Sequence, residues 1–391
     1  FQPFTRLSAL LDATPPGRSP AGDGAPLLLS VGEPQGQPPA FLAEALTQNA
    51  ALWSRYPPPL GDPDYRRACA EWLVRRYRLP RDLVDPERNI LPLPGTREGL
   101  FFAALAAMKR GENGGGARDA ILLPDPGYHV YGGAAAVAGA RLLPVAADEA
   151  SGFLPDYEAL EPALLARVAL AFFCSPSNPQ GAVASRARWR DLIQLARRHG
   201  FLLAADECYG ELYGDAPAPG ALEAAAELGE GLGGLLAFHS LSKRSSAPGL
   251  RCGFAVGDAA WIAALDRLLR LGGAGVPLPS QAAGARLWRD EAHVAANRAR
   301  YRESFEIAER VLGNRFGYRK PGGGFFLWLE VGDGEAAART LWRAAGIRVL
   351  PGAYLSAPGS ASLPGAAYIR AALVYEPPVI AAALGRMAEI L

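Results

Sequence analysis

The residues best suited to chemistry lie in one stretch, residues 240–251, with the sequence SLSKRSSAPGLR. Lys243 follows an apolar run, hydroxyl groups stand at Ser240 and Ser242, and a guanidinium follows the lysine eight residues later at Arg251. A primary amine can attack a carbonyl group, while hydroxyls and an arginine can bind a phosphate. The stretch therefore predicts a reactive amine beside an anion site, although a solvated loop explains it equally well when it is considered alone.

Four other predicted strands also end in polar side chains. The carboxyl ends of strands in an open α/β sheet line its ligand site, so we expect these side chains to converge. They are Gly95, Thr96 and Arg97 after residues 90–93, Tyr128 after 120–123, Asn178 after 168–173, and Asp206 with Tyr209 after 201–205.

Each strand end also has a purely structural explanation. Thr96 is a good helix cap, Tyr128 can pack locally, and Asn178 is a typical turn residue. Asp206 is harder to explain in this way, because a carboxylate at the end of an apolar strand is costly to bury without a cation. Together the five strand ends supply phosphate donors, an aromatic ring, an amide, a carboxylate and an amine. That set is what pyridoxal phosphate requires of a binding site.

The elements that must position these residues alternate along the first two thirds of the chain. Predicted strands and helices follow one another up to residue 271, which indicates a mostly parallel α/β sheet with helices on both faces. Beyond residue 279 the pattern changes to a long, charged helical stretch at 281–312 and short strands at 324–329, 347–350 and 367–373. We predict a large cofactor-binding domain from residues 40–279. A small α+β domain is predicted from residues 1–39 and 280–391, with an N-terminal arm at 1–26 and a strand at 27–31.

Composition narrows the class of protein. The 391 residues carry a formal net charge of +1, which gives no electrostatic footprint for nucleic acid. No apolar run approaches the roughly 18 residues of a membrane span. The four cysteines show no CxxC spacing, so we expect no metal site and a reducing compartment, the cytoplasm.

Six motifs occur together along the chain, and their order and spacing are more specific than any one of them. The chain resembles the fold-type I pyridoxal-phosphate aminotransferases of class I/II over essentially its whole length. The motifs are PGTRE (94–98), DPGY (125–128), SPSNPQG (175–181), DECY (206–209), SLSKRSSAPGLRCGF (240–254) and YIRAALV (368–374).

The resemblance implies roles in holding the cofactor. Lys243 would form the Schiff base and shuttle a proton at the substrate Cα, and Asp206 would pair with the pyridinium nitrogen. Asn178 and Tyr209 would hydrogen-bond the ring oxygen, and Tyr128 would stack on the ring. The phosphate would be held by Gly95, Thr96, Arg97, Ser240, Ser242 and Arg251.

The resemblance also implies how substrate and subunits are arranged. Arg370, in an otherwise apolar strand, would bind the substrate α-carboxylate, and an internal ion pair is the alternative. Gly32 and Asn178 would line the substrate pocket. Tyr56 would reach the phosphate of a neighbouring subunit, which implies a homodimer with shared active sites, whereas local packing of a turn is the simpler reading.

Within the family, the sequence is most similar to proteobacterial succinyldiaminopimelate aminotransferases, which use glutamate as donor and N-succinyl-2-amino-6-ketopimelate as acceptor. Ser246 departs from the expected Asn, and the loop at 271–279 is unusually rich in glycine. The alternatives are another aminotransferase, acting on aspartate, acetylornithine or aromatic amino acids, a lyase on the same scaffold, or a non-catalytic relative that senses a ligand.

Overall fold

A computed structural model describes residues 2–22, 24–113, 118–360 and 363–391 of the chain. Within these residues the larger sheet has seven strands, which are Ile90–Leu93 (β1), Ala120–Asp125 (β2), Arg141–Ala146 (β3), Val168–Cys174 (β4), Leu202–Asp206 (β5), Leu235–Ser240 (β6) and Gly253–Gly257 (β7). Their order is β1-β7-β6-β5-β4-β2-β3. β7 runs antiparallel to β1 and β6, and the other neighbours are parallel. The predicted mostly parallel mixed sheet is confirmed.

Helices cover both faces of this sheet, so the central strands are buried on two sides and read as continuous apolar runs. Phe172 and Phe173 show the alternation, because they lie in separate apolar clusters on opposite faces. The helices of the described chain are Pro3–Leu11 (α1), Phe41–Gln48 (α2), Pro63–Tyr77 (α3), Thr96–Asn113 (α4), His129–Val137 (α5), Pro162–Leu165 (α6), Arg186–His199 (α7), Ala221–Leu228 (α8), Leu241–Arg244 (α9), Ala259–Gly272 (α10), Leu278–Arg289 (α11), Ala292–Leu312 (α12), Gly334–Ala345 (α13) and Pro377–Ile390 (α14).

A second, antiparallel sheet lies in the C-terminal part. Its strands are Phe326–Glu330 (β8), Leu350–Pro351 (β9) and Tyr368–Ala372 (β10), in the order β8-β10-β9. Helices α12, α13 and α14 pack with it around an apolar cluster of its own. This architecture fits an α+β unit, while the domain boundaries at residues 40 and 279 stay a prediction.

The helical stretch predicted at 281–312 is divided into two helices, α11 and α12. Asp290 has an extended backbone (φ −93°, ψ 128°) that ends α11, and its carboxylate accepts a hydrogen bond from the His293 amide at 3.0 Å. An Asp that bonds the amide three residues on is a typical start signal for a helix. Helical charge patterning alone did not reveal this break.

The N-terminal prediction also needs correction. The predicted arm contains α1, which buries Leu7 and Leu11 against β9 and α13, so its apolar spacing outweighs the Pro- and Gly-rich composition around it. The predicted strand at 27–31 is only a single bridge from Leu27 to Ile347, and the predicted strand at 347–350 shortens to β9. Helix α2 is followed by a short 3₁₀ helix, Ala50–Ser54.

Two features of the described residues concern membranes and metal ions. None of the helices in residues 2–22, 24–113, 118–360 and 363–391 combines the length and apolarity needed to cross a bilayer. In the same residues, no three His, Cys, Asp or Glu side chains come together in a way that could hold a metal ion.

Candidate active site

A cavity of about 360 Å³ opens at the carboxyl ends of the large-sheet strands, where it also meets the small sheet. Its size is in the range of small-molecule and cofactor sites. Twelve of the fourteen predicted site residues line it, namely Gly32, Thr96, Arg97, Tyr128, Asn178, Asp206, Tyr209, Ser240, Ser242, Lys243, Arg251 and Arg370. The chain therefore brings together residues that lie up to 338 positions apart (32 to 370).

Lys243 lies in the short helix α9, directly after β6, so its side chain leaves the end of a buried strand. Its Nζ donates a hydrogen bond to the carbonyl oxygen of Gly32 and lies 5.4 Å from the centre of the Phe325 ring. Burial lowers the pKa of this amine from 10.5 to about 8. An amine with this pKa is partly neutral near pH 7.5, and the neutral form is the nucleophile.

Asp206 ends β5 and is only 3% exposed. Tyr131 donates its hydroxyl hydrogen to Asp206 Oδ2 at 2.6 Å, and the Cys208 amide donates to Oδ1 at 3.2 Å. Burial raises the pKa of Asp206, and these hydrogen bonds oppose that rise. Asp206 makes no ion pair with any described residue, so the carboxylate is ready for a cationic partner in the cavity.

Groups that could bind an anion come together where α4 begins beside the end of β6. Ser240 caps α9 by accepting from the Ser242 amide at 3.1 Å, and the two hydroxyl oxygens lie 3.0 Å apart. Thr96 is the first residue of the 18-residue helix α4, whose amino end favours negative charge. Arg251 reaches the same region with a left-handed backbone (φ 53°) and pairs with Glu98 at 3.3 Å.

Gly95 does not line the cavity, but its backbone lies under the Arg251 guanidinium. Its φ is +98°, and a Cβ atom added there would collide with Arg251. Glycine is thus the residue that lets the arginine lie close to the start of α4.

Arg370, in β10, is 4% exposed and makes no ion pair with any residue that the structure describes. Its Nη1 donates to Asn178 Oδ1 at 2.8 Å and its Nη2 to the Ser30 carbonyl at 2.7 Å, while its Nε has no partner. Burial lowers its pKa to about 10, which leaves it charged at neutral pH. A buried guanidinium without a carboxylate is a site for an anion.

Aromatic side chains form the walls of the cavity. Tyr128 accepts a hydrogen bond from Arg97 Nε at 3.1 Å, and Tyr209 packs at right angles to Phe325. His129 also lines the cavity, and burial lowers its pKa to about 4, so its ring is neutral. His129 and the aromatic rings therefore add no formal charge to the cavity at neutral pH.

Tyr56 lies outside this cavity and is 97% exposed. It lines a different groove with Trp53 and Gly275, so within one chain it contacts none of the other site residues. Sequence reasoning missed two residues of the site: Phe4, which lines the cavity, and Tyr131, which lies outside the lining and hydrogen-bonds Asp206. Tyr131 could have been found from its place one helical turn after Tyr128, whereas Phe4 gave no signal because α1 was not expected.

The side chains present fit pyridoxal phosphate. A phosphate fits the anion site of Ser240, Ser242, Thr96 and Arg251, an amine is available at Lys243, and an unpaired buried carboxylate is available for the ring nitrogen. The unpaired Arg370 remains for a substrate carboxylate. Among the ion pairs of the described residues, the exposed Arg251–Glu98 pair alone involves a side chain that lines the cavity, and the Lys243 amine keeps one hydrogen bond, to the Gly32 carbonyl.

Comparison with known proteins agrees with this chemistry. Residues 25–365 match the family model described as aminotransferase class I and II. A 4-dedimethylamino-4-oxo-anhydrotetracycline transaminase of Streptomyces rimosus is 36% identical over 92% of both chains. An LL-diaminopimelate aminotransferase of Desulforudis audaxviator is 33% identical over 83% of this chain and 81% of that protein.

Solved structures agree along the whole chain. A Neisseria meningitidis aminotransferase has a TM-score of 0.90 at 36% identity, covering 99% of this chain and 96% of that one. A probable N-succinyldiaminopimelate aminotransferase of Thermus thermophilus has a TM-score of 0.85 at 25% identity, with full coverage of both chains. The chain therefore belongs to the class I and II aminotransferases and is a pyridoxal-phosphate-dependent transferase with the fold-type I architecture.

Proposed function

We propose that the enzyme transfers an amino group from L-glutamate to N-succinyl-2-amino-6-ketopimelate, a step of diaminopimelate and lysine biosynthesis. The observation that carries the amino-acid chemistry is the buried Arg370, which faces the same cavity as Lys243 without a carboxylate partner. The diaminopimelate skeleton is supported by similarity to a probable N-succinyldiaminopimelate aminotransferase and to an LL-diaminopimelate aminotransferase.

In this reaction, the residues nearest the reacting atoms bind the substrate or hold and move protons. Arg370 binds the α-carboxylate through its two Nη groups, and Asn178 holds the guanidinium in place. Lys243 Nζ would hold the cofactor covalently and, once the substrate amine has displaced it, the free amine would move a proton at the substrate Cα, which its lowered pKa of about 8 favours. Asp206 holds a proton at the ring nitrogen. When bound, pyridoxal phosphate supplies a ring that accepts electron density from Cα.

The cofactor would be held by a set of residues that the cavity brings together. Thr96, Ser240, Ser242 and Arg251 bind the phosphate with the backbone of Gly95, and Arg97 extends the same cationic edge. Tyr128 stacks on the ring. Asn178 and Tyr209 bind the ring oxygen, and the neighbourhood of Gly32 shapes the substrate side of the pocket.

We also propose a homodimer in which Tyr56 completes the partner's active site. Three large apolar residues, Trp53, Tyr56 and Leu271, are 59%, 97% and 87% exposed, and the first two line one apolar groove. Such exposure on one side of a monomer is typical of a protein interface. The four cysteines, all free thiols, support a cytoplasmic location.

A second candidate is an LL-diaminopimelate aminotransferase, which the 33% identical relative favours. The two substrates share the reacting α-amino acid and differ at the distal end, where one carries a succinyl group and the other a free ammonium. Arg370 and Lys243 serve both equally, so only residues that contact the distal end separate them.

The test is a substrate panel with the purified holoenzyme. With 2-oxoglutarate as acceptor, kcat/KM is measured for N-succinyl-LL-diaminopimelate, LL-diaminopimelate, acetylornithine, aspartate and phenylalanine. We expect the succinylated compound to exceed the others by about tenfold or more, a difference of about 1.4 kcal/mol. A preference for LL-diaminopimelate would replace the proposal by the second candidate. Release of ammonia without glutamate formation would indicate a lyase.

A further inference from the structure

The segment that carries Lys243 is held in place by helices from the C-terminal part of the chain. Arg244, which is 1% exposed, donates to the carbonyl oxygens of Leu287 at 2.7 Å and Asp290 at 3.2 Å. His293 Nε2 lies 2.8 Å from Ser245 Oγ. Every residue from 243 to 246 contacts α11, α12 or the link between them through hydrogen bonds.

Asn297, on α12, is the centre of this contact. Its Nδ2 donates to the carbonyl oxygens of Lys243 at 3.0 Å and Arg244 at 3.2 Å. Its Oδ1 accepts from Ser246 Oγ at 3.1 Å and from Arg300 Nη2 at 3.2 Å. A carboxamide has two donor hydrogens and can accept two hydrogen bonds, so the capacity of this side chain is fully used.

The two carbonyl groups need such a donor because α9 spans only Leu241–Arg244. The last carbonyl groups of a helix have no partner within it. In α9 the Ser245 amide bonds the Leu241 carbonyl at 3.0 Å, and the helix then ends. Asn297 therefore caps α9 from a distant helix and fixes the peptide group that follows Lys243.

We propose that Asn297 is a positioning residue for Lys243. By holding the backbone on the carboxyl side of the lysine, it sets how far Nζ reaches into the cavity, and it ties that position to α12. Asn297 does not line the cavity, so it acts only through the lysine. The inference rests on the proposed role of Lys243 and adds a residue that none of the motifs contains.

Ser246 takes part in the same hydrogen-bonded contact with Asn297. Its backbone is left-handed (φ 47°), a conformation that Asn adopts more readily than Ser. The position where Asn was expected thus carries a serine whose hydroxyl orients the Asn297 amide.

The decisive variant is Asn297→Asp, which keeps the shape but turns a carboxylate oxygen toward two carbonyl oxygens. The matched control is Asn89→Asp, because Asn89 Nδ2 also donates to a carbonyl oxygen, that of Gly257 at 2.8 Å, but away from Lys243. The holoenzymes are compared in cofactor content, in the pH titration of the visible absorbance of the lysine-bound cofactor, and in single-turnover rate with glutamate.

For Asn297→Asp we expect full cofactor content, a shift of the titration midpoint by about half a pH unit or more, and a rate about tenfold lower. The KM for glutamate should stay within about threefold, because Arg370 is unaffected. The control should match the wild type. If Asn297→Asp does not fold, Ser246→Ala should shift the midpoint in the same direction by less.

An unchanged titration and rate in a fully loaded Asn297→Asp protein, or in Ser246→Ala where that variant replaces it, would overturn the proposal. Equal effects in Asn89→Asp would overturn it as well. The variant Lys243→Ala distinguishes a wrong role for Asn297 from a wrong role for Lys243 in the proposed function. Retained turnover in Lys243→Ala would refute both roles, whereas loss of turnover there with an unchanged Asn297→Asp would refute Asn297 alone.

Discussion

Arg370 Nη1 donates to Asn178 Oδ1 at 2.8 Å, and this hydrogen bond joins the two sheets across the cavity. Arg370 belongs to β10 of the small sheet, and Asn178 follows β4 of the large one. The same arginine lies 4.2 Å from the centre of the Phe326 ring and has a free Nε. The substrate carboxylate would thus bind where the two sheets meet, next to contacts from both of them.

Arg370→Lys should raise the KM of every α-amino acid by about tenfold or more. Lysine keeps the charge but loses the planar fork that binds a carboxylate with two hydrogen bonds, and charge-assisted hydrogen bonds contribute about 1.5–3 kcal/mol each. Steady-state kinetics with glutamate and one other donor measure the effect. Arg339→Lys, on the exposed face of α13, is the control and should leave KM unchanged. An effect on one substrate alone would show that Arg370 contacts a distal group instead.

Lys243 should react with the cofactor at a lower pH than an exposed lysine does. Burial lowers its pKa to about 8, so the neutral, nucleophilic form grows as pH rises through 8 instead of 10.5. In the cofactor-free protein, the rate at which Lys243 captures pyridoxal phosphate should rise between pH 7 and 9 and level off above. Stopped-flow absorbance measures this rate, with an acetylated lysine amide as the reference. A midpoint above pH 10 would contradict the structure.

Many residues of this site could be predicted from the sequence because they come within a few positions of a strand end, and the sheet fixes where each strand ends. A polar residue directly after a buried apolar run, such as Asp206 or Lys243, has its place set by the sheet, so type and position were both predictable. Arg370 was detectable for the same reason, as a charge inside an apolar strand. The mostly parallel sheet followed from the alternation of strands and helices, whereas the order of its strands was not predicted.

The remaining features depend on contacts between distant segments, which leave no local pattern. Asn297 lies in a charged helix where one more polar residue is unremarkable, and its value comes from meeting the Lys243 carbonyl 54 residues away. Phe4 reaches the cavity only because α1 packs on the small sheet. The break at Asp290 follows from one capping bond, a signal too weak to separate two helices of similar composition.

Tyr56 gives a test of shared active sites by subunit mixing. In a symmetric dimer, a mixed dimer of Tyr56→Ala and Lys243→Ala has one site with both residues and one site with neither. Each variant alone should have low activity, whereas unfolding and reassembling an equal mixture should restore about a quarter of the wild-type activity. As control, Lys243→Ala mixed with the double variant should stay inactive. No recovery in mixtures shown to contain mixed dimers would place Tyr56 outside the partner's site.

Glu207, next to Asp206, should make stability depend on pH. It is 3% exposed, accepts from the Tyr77 hydroxyl at 2.8 Å and the Ala221 amide at 2.9 Å, and lies behind the cavity. Burial raises its pKa from 4.5 to about 7. The folded state therefore holds this proton more tightly than the unfolded state, and the stability this contributes is present below pH 4.5 and lost as pH rises through 7.

Glu207→Gln removes this titration while keeping a similar shape, with an oxygen for the Ala221 amide and an NH₂ group toward the Tyr77 oxygen. A shift from 4.5 to about 7 corresponds to roughly 3 kcal/mol at about 1.36 kcal/mol per unit. Relative to the variant, wild type should thus lose up to about 3 kcal/mol between pH 4.5 and 8, which lowers its Tm by several degrees. Thermal unfolding of both proteins over this range measures the difference, with the exposed Glu303→Gln as control. A constant difference in Tm across the range would show that Glu207 stays ionised in the folded protein, with its buried charge stabilised by Tyr77 and the Ala221 amide.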